Sequence, residues 1–145
     1  MLRLVTVLLV VSLFFSACGT SKESTVTKFS LADTKWRLIE LMGGPIPATM
    51  TSVNEVTLQF AKDDNRVSGF SGCNTYGGGY TTPTPSGISF SQMLSTMKAC
   101  PSNMDLESAY LKMLQEVDNY AIKGNVLSLN KAKMAPMARF EAMKK

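Results

Sequence analysis

The chain has 145 residues, of which 45% are hydrophobic, and it carries a formal charge of +4 at pH 7. This length accommodates one domain around one core, and the hydrophobic share is that of a globular protein and too high for a disordered one. Histidine is absent, which removes the usual general base, the usual zinc or copper ligand and every nucleophile that pairs with histidine. We therefore expect neither an enzyme nor a metal site. Basic residues near the C-terminus indicate a solvated end rather than a nucleic-acid interface, and they are Lys131, Lys133, Arg139, Lys144 and Lys145.

The chain begins with the features of a bacterial lipoprotein signal. Arg3 precedes an uncharged, largely apolar run over residues 4–15, which is typical of a signal peptide and too short to span a bilayer as a mature helix. The small residues of Ser16-Ala17-Cys18 resemble a lipobox, whose cysteine becomes lipidated and then starts the mature protein. We expect a signal peptide over residues 1–17 and a lipid anchor at Cys18, with an ordinary secretory signal cut nearby as the alternative.

The residues after Cys18 predict where the protein resides and where its domain begins. Gly19 is not the aspartate that resembles an inner-membrane retention signal, so we expect an outer-membrane-anchored lipoprotein of the cell envelope that faces the periplasm. Residues 18–30 are polar and mostly small, without strand or helix periodicity over most of their length, which predicts a lipidated N-terminus and a flexible tether. The folded domain is expected over residues 31–145.

Short strands follow one another along most of the domain. Alternating apolar and polar residues, bounded by glycine, proline, asparagine and aspartate, predict seven or eight of them. The stretch from Gly69 to Gly79 is rich in glycine and aromatic residues, which indicates backbone that turns sharply or approaches another segment closely. Residues 92–99 can form a short helix or a strand, and the strand is favoured. The predicted strands cover residues 34–41, 55–60, 66–70, 88–90, 92–99, 120–123, 126–130 and 138–142.

One helix interrupts this series late in the chain. Ser102 is the predicted N-cap of a helix over residues 103–119, with Asp105 favoured by the positive end of the helix dipole. Apolar residues form a single stripe on this helix, and they are Leu106, Ala109, Tyr110, Met113, Leu114 and Val117. A helix with one apolar stripe needs a sheet to cover it. The fold class is therefore α+β: a mainly antiparallel, curled, cracked-barrel-like sheet packed on one long helix.

Two short motifs carry a resemblance to a known family. They are Gly72-Cys73-Asn74 and Thr96-Met97-x-Ala99-Cys100. Together with the aromatic, glycine and leucine positions between Trp36 and Phe140, they resemble the META domain, the HslJ-like family of bacterial envelope proteins, over about residues 34–141. The resemblance implies a cracked antiparallel barrel around a helix, similar to lipid-binding secretion pilotins. It also implies a stress or antibiotic-resistance association, with no catalytic residues and no cofactor. The long loop Thr81–Gly87 departs from the pattern and leaves the strand register there open.

The motif residues have structural interpretations that need no catalysis. If Cys18 is lipidated, Cys73 and Cys100 are the remaining cysteines, and such a pair in an oxidising compartment predicts a disulfide. Two buried thiols are the main alternative, and a redox pair or a metal site would need other spacing or more ligands. Asn74 is expected to serve a turn or to satisfy buried backbone. Glu107 lies one turn into the predicted helix, where capping and the helix dipole explain a carboxylate.

An apolar interior is the remaining candidate site. A sheet wrapped around one helix would direct a set of large apolar side chains to a shared interior, where an adaptable pocket can form; the set is Trp36, Leu58, Phe60, Phe90, Met97, Tyr110, Leu114 and Tyr120. Met134-x-x-Met137 has a spacing that suits copper, but no histidine or free cysteine supports it. We expect a non-catalytic envelope lipoprotein that binds an apolar ligand or another envelope protein. A structural lipoprotein without a specific ligand is the alternative, and the oligomeric state stays open.

Overall fold

The computed structural model describes residues 29–47 and 54–143. The predicted signal peptide, Cys18 and residues 19–28 of the tether lie outside the described residues. The described chain forms nine strands and one helix in the order β1 Lys35–Leu41, β2 Gly44–Pro45, β3 Thr57–Phe60, β4 Arg66–Phe70, β5 Thr75–Thr81, β6 Ser89–Ser95, α1 Met104–Glu116, β7 Asn119–Lys123, β8 Val126–Asn130 and β9 Ala138–Ala142.

The strands form one antiparallel sheet in the order β6-β5-β4-β3-β1-β9-β8-β7, and β2 pairs with β1. Consecutive strands pair as hairpins on both sides, while β1 and β9, from opposite ends of the domain, pair in the middle. The sheet curls so that its edge strands meet at one point, the bridge between Gly87 and Asn119. There Ile88 N donates to Asp118 O at 3.0 Å and Tyr120 N to Ser86 O at 2.8 Å. The predicted curled, antiparallel, cracked sheet is confirmed.

The core lies between the concave face of the sheet and α1. Alternation places one side of each strand inward, and the helix adds Tyr110, Met113 and Leu114. The ring of Tyr110 is central, with ring centroids 5.6 Å from Tyr76 and 6.3 Å from Phe140. Large side chains that are at most 2% exposed fill the rest, and they include Trp36, Leu38, Val56, Leu58, Phe60, Val67, Ile88, Leu127 and Leu129.

The helix differs from the prediction in length and in its N-terminus. It has 13 residues and not the span 103–119, because the chain turns to extended backbone at Val117 and then enters β7. Asn103 and not Ser102 occupies the N-cap position, without a side-chain capping hydrogen bond. Ala109, expected in the apolar stripe, is exposed, while Glu107 is buried. The predicted long helix is therefore wrong, although its position and most of its buried face are right.

The strand predicted over residues 92–99 is correct for its first part. β6 ends at Ser95, and residues 96–100 have no regular secondary structure. We call residues 96–100 the Thr96–Cys100 segment. Met97, predicted to face the interior, lies in this segment with 98% of its surface exposed. The placement of Met97 in an apolar pocket is therefore wrong, because the chain leaves the sheet two residues before it.

Candidate functional site

A tight turn between β4 and β5 is the centre of the site. Ser71 N donates to Asn74 O at 2.8 Å, which closes the turn over Ser71-Gly72-Cys73-Asn74. Gly72 has φ +98°, a backbone conformation that favours glycine. All four residues of the turn are buried, so their polar groups need partners within the protein.

Asn74 joins the turn to the Thr96–Cys100 segment. Its Oδ1 accepts hydrogen bonds from Thr96 Oγ1 and from Lys98 N, both at 2.7 Å. Its Nδ2 donates to Lys98 O at 3.1 Å. One side chain thus satisfies both backbone groups of Lys98, which replaces the partner strand that this segment lacks.

Glu107 closes the arrangement from the helix. Its carboxylate accepts hydrogen bonds from Ser71 Oγ at 2.7 Å, from Asn74 N at 3.0 Å and from Asn74 Nδ2 at 3.0 Å. It is 6% exposed, and among the residues that the structure describes no cation lies within ion-pair distance of it. Neutral donors therefore compensate this buried carboxylate. The helix-capping explanation of Glu107 is wrong, because its side chain points across to the turn.

Two further links fasten the same elements. The predicted disulfide between Cys73 and Cys100 is present in the structure, with 5.8 Å between the two Cα atoms. Asn103 Nδ2 donates to Gly72 O at 2.9 Å. The turn, the Thr96–Cys100 segment and the start of α1 are thus joined by one covalent bond and a set of hydrogen bonds. We call this arrangement the polar tie, formed by Ser71, Asn74, Thr96, Lys98, Asn103, Glu107 and the Cys73–Cys100 disulfide.

The chemistry of the polar tie is that of a structural support. Every buried side-chain nitrogen and oxygen in the described ranges has a hydrogen-bond partner, and the donors to the Glu107 carboxylate all come from the turn between β4 and β5. Around this support Thr96, Met97, Lys98 and Ala99 are all exposed. The arrangement therefore presents a short stretch of held backbone with an apolar and a cationic side chain at the surface.

The remaining residues of the predicted pocket are part of the packed core. Trp36, Leu58, Tyr110 and Leu114 are 0% exposed, and Phe60 is 1% exposed. Phe90 and Tyr120 are half-buried and pack against this core. The structure thus brings seven of the eight predicted pocket residues together, as mutual packing partners, and separates Met97 from them.

A pair of tyrosines places two hydroxyl groups within the packed core. The hydroxyl oxygens of Tyr76 and Tyr110 are 2.6 Å apart, and Tyr76 Oη donates to Thr57 O at 2.9 Å. Burial raises the pKa of both hydroxyls well above the ordinary value. A Cβ at Gly69 would overlap both Thr57 O and the Tyr76 hydroxyl, so the strand β4 needs glycine at this position.

The methionine pair considered for copper is divided between core and surface. Met137 is 7% exposed and belongs to the core, whereas Met134 is 58% exposed. Within residues 29–47 and 54–143 no group of three or more histidine, cysteine, aspartate and glutamate residues could hold a metal ion. In the same ranges, no helix has both the length and the hydropathy that a bilayer crossing demands.

Sequence reasoning found the motifs but missed their connections. Ser71 was not singled out, and the contact of Glu107 with a turn 33 residues earlier leaves no signal in local periodicity. The exposure of Met97 follows from the end of β6, which the alternation of residues 92–99 did not reveal.

These features define a class of small antiparallel half-barrel domains with a single inserted helix. The family model of the META domain matches residues 29–144, and the chain belongs to the META domain family. This family is not a known family of enzymes.

Two solved structures are similar to this chain. One is the NMR structure of a protein from Burkholderia xenovorans, with a TM-score of 0.64 and 26% sequence identity over 79% of this chain and 85% of that one. The other, also an NMR structure, has a TM-score of 0.59 and 19% identity over 79% of this chain and 95% of that one, and it shows a shared fold. No curated protein matches the sequence significantly.

Proposed function

We propose that this META domain is a non-catalytic lipoprotein module of the bacterial cell envelope that binds another envelope protein through the Thr96–Cys100 segment. The observation that carries the proposal is Met97, which is 98% exposed on a backbone held by Asn74 and the disulfide. Burying a methionine side chain contributes about 2 kcal/mol. In the isolated domain the Met97 side chain stays in water, so this stabilisation becomes available when a partner buries Met97 in an apolar pocket.

Held backbone makes the segment a suitable recognition element. Association is weakened by the entropy lost when loops become ordered, and a segment already fixed avoids most of that loss. Met97 can adapt to different pocket shapes, and the neighbouring exposed Lys98 favours a partner with acidic groups beside the pocket. The proposed partner surface is therefore an apolar pocket with an acidic rim.

The position of the segment favours a protein over the bilayer as its partner. Phe29 packs against Trp36, and Ala32 bridges to Phe60, so the described chain enters the domain where β1 begins. The Thr96–Cys100 segment leaves β6 beside Thr75, and the register aligns Thr75 with Arg37 of β1. Four strand spacings, roughly 19 Å along the curve of the sheet, therefore separate the segment from β1. A domain anchored through Cys18 would hold the segment to one side of the point where the chain enters, where a neighbouring envelope protein can contact it.

Two other functions are weaker candidates. An apolar ligand in the interior would have to displace side chains such as Trp36 and Leu58, which are 0% exposed and pack against their neighbours. A structural lipoprotein without any specific ligand leaves the exposure of Met97 unexplained.

Site-specific photo-crosslinking in cells tests the proposal. The full chain, with a benzophenone amino acid at position 97, is expressed in a Gram-negative host and irradiated in intact cells. One discrete protein adduct is expected. Adding Lys98→Glu to this chain is expected to abolish the adduct. The matched control places the same group at Met134, which is also exposed, at 58%. Equal adduct patterns from both positions, or no adduct from position 97, would leave the structural lipoprotein as the better account.

A further inference from the structure

A groove lies on the outer face of the sheet. It crosses β4, β5 and β6 on the convex side and has a volume of about 340 Å³. It is lined by Asp64, Asn65, Arg66, Gly77, Gly78, Gly79, Gln92 and Leu94. This volume lies at the small end of the range of ligand sites, which runs from roughly 300 to 1,000 Å³.

The floor of the groove exists because β5 lacks outward side chains. Tyr76 and Tyr80 are buried and point to the core, so Gly77 and Gly79 face outward by strand alternation. A Cβ at Gly77 would meet only Val67 O, at 3.5 Å, an ordinary contact. Neither packing nor a special backbone angle requires glycine at position 77, and its effect is to leave the trough open.

The walls of the groove differ in chemistry. Arg66 and Asp64 stand at one end, both exposed, and neither forms a side-chain ion pair with any residue that the structure describes. Asp64 Oδ1 accepts a hydrogen bond from the backbone N of Arg66 at 3.1 Å, which fixes the turn but leaves the second carboxylate oxygen and the guanidinium available. Leu94 forms the opposite wall and is 76% exposed.

We propose that this groove binds a small zwitterion with an apolar side chain, namely an apolar amino acid or dipeptide. The carboxylate of the ligand pairs with the guanidinium of Arg66, and its ammonium group pairs with Asp64. Its side chain lies over Gly77 and against Leu94, where it covers apolar surface that is exposed in the free protein. Because Arg66 and Asp64 do not pair with each other, their opposite charges complement a ligand that carries both a carboxylate and an ammonium group.

The proposal is independent of the protein partner described above, since the groove and the Thr96–Cys100 segment share no residue. The probe for the test is the dipeptide Leu-Leu, titrated into ¹⁵N-labelled protein comprising residues 19–145. The expected result is a saturable shift of the amide signals of Gly77, Gly78 and Gly79 with a millimolar Kd.

The arms of the titration separate the three contacts. N-acetyl-leucine, which lacks the ammonium group, and leucinamide, which lacks the carboxylate, are each expected to bind at least fivefold more weakly than leucine. Arg66→Gln is expected to weaken Leu-Leu binding at least fivefold, whereas Lys123→Gln, an exposed lysine on β7, leaves it unchanged. Gly77→Val fills the trough with a residue that suits a strand and is expected to abolish binding.

Three results would overturn the proposal. They are glycine amides that do not respond to Leu-Leu, equal binding of leucine and its two blocked derivatives, and equal effects of Arg66→Gln and Lys123→Gln. The blocked ligands are compared on the unmodified protein, so that comparison decides the matter even if Gly77→Val fails to fold.

Discussion

The side chain of Glu107 is buried and connects the helix to the turn between β4 and β5. A buried carboxylate is costly to desolvate, and it is usually stabilised by a cation. Here Ser71 and Asn74 supply the donors instead. Removing the carboxylate would leave the buried Asn74 N without a partner, and Ser71 Oγ and Asn74 Nδ2 would keep one acceptor each, Asn74 O and Lys98 O. The loss therefore extends beyond one hydrogen bond.

Glu107→Ala is expected to lower the free energy of unfolding by about 3 kcal/mol, because it leaves the buried backbone N of Asn74 without a partner and removes the hydrogen bonds from Ser71 Oγ and Asn74 Nδ2. Urea denaturation measures the change. Asp105→Ala is the matched control on the same helix, and as an exposed residue in the first turn it should lower stability by no more than about 1 kcal/mol. A similar loss for both variants would mean that Glu107 acts through the helix dipole alone.

At the scale of the element, the Thr96–Cys100 segment depends on side-chain links rather than on a strand partner. Asn74 satisfies the backbone of Lys98, and the disulfide fixes Cys100 to the turn. The two links act on one short stretch of chain, so we expect their contributions to stability to be coupled.

Replacing the disulfide tests this coupling. The double variant with Cys73→Ser and Cys100→Ser should lose roughly 3.5 kcal/mol of stability, the chain-entropy value for closing a loop with a sequence separation of 27. Urea denaturation of this variant, of Asn74→Ala and of the two combined measures the interaction term. Mass spectrometry of non-reduced, alkylated protein from the periplasm checks that the bond forms, and two alkylated thiols there would contradict the prediction.

Elements with strong local signals could be predicted from the sequence, and elements fixed by distant contacts could not. Strand β9 was predicted at residues 138–142 and lies there, because alternation alone sets its inward face. The end of β6 at Ser95 was missed because the Asn74 side chain, 24 residues before Lys98, forms the hydrogen bonds to Lys98 that a partner strand would otherwise form. The helix was predicted too long because its periodicity continues to Val117, where the next strand begins.

The candidate site shows the same division. The pairing of Cys73 with Cys100 was predictable from cysteine number and compartment. The role of Glu107 was not, because a carboxylate early in a helix already has a sufficient local explanation. Met97 was predicted to be buried, because an apolar residue in an alternating stretch ordinarily is, and its exposure shows that this prediction was wrong.

The whole molecule, if it is anchored at Cys18, is joined to the membrane by a short tether. Residues 18–28 can span at most about 40 Å when fully extended. The domain would therefore stay close to the membrane surface, within reach of other envelope proteins.

Lipidation at Cys18 is the condition for this placement near the membrane. The full chain, labelled in cells with a fatty-acid analogue, is expected to carry the label and to sediment with membranes, whereas Cys18→Ser should do neither. Anchoring by two acyl chains is stable because each buried methylene contributes roughly 0.8 kcal/mol. If the label were absent from both proteins, or present equally in both, the anchor would not be at Cys18.

The strands β1 and β9 pair in the middle of the sheet although they come from opposite ends of the domain. β1 pairs with β9 through contacts such as Trp36 with Ala142, so the partner of an early strand is synthesised last. At about 5 to 20 residues per second, roughly 100 residues take between 5 and 20 s to emerge. Throughout that interval one side of β1 has no partner, and the growing chain exposes an edge to which another chain can add. The strand at the middle of the finished sheet is therefore the one that needs protection longest during biogenesis.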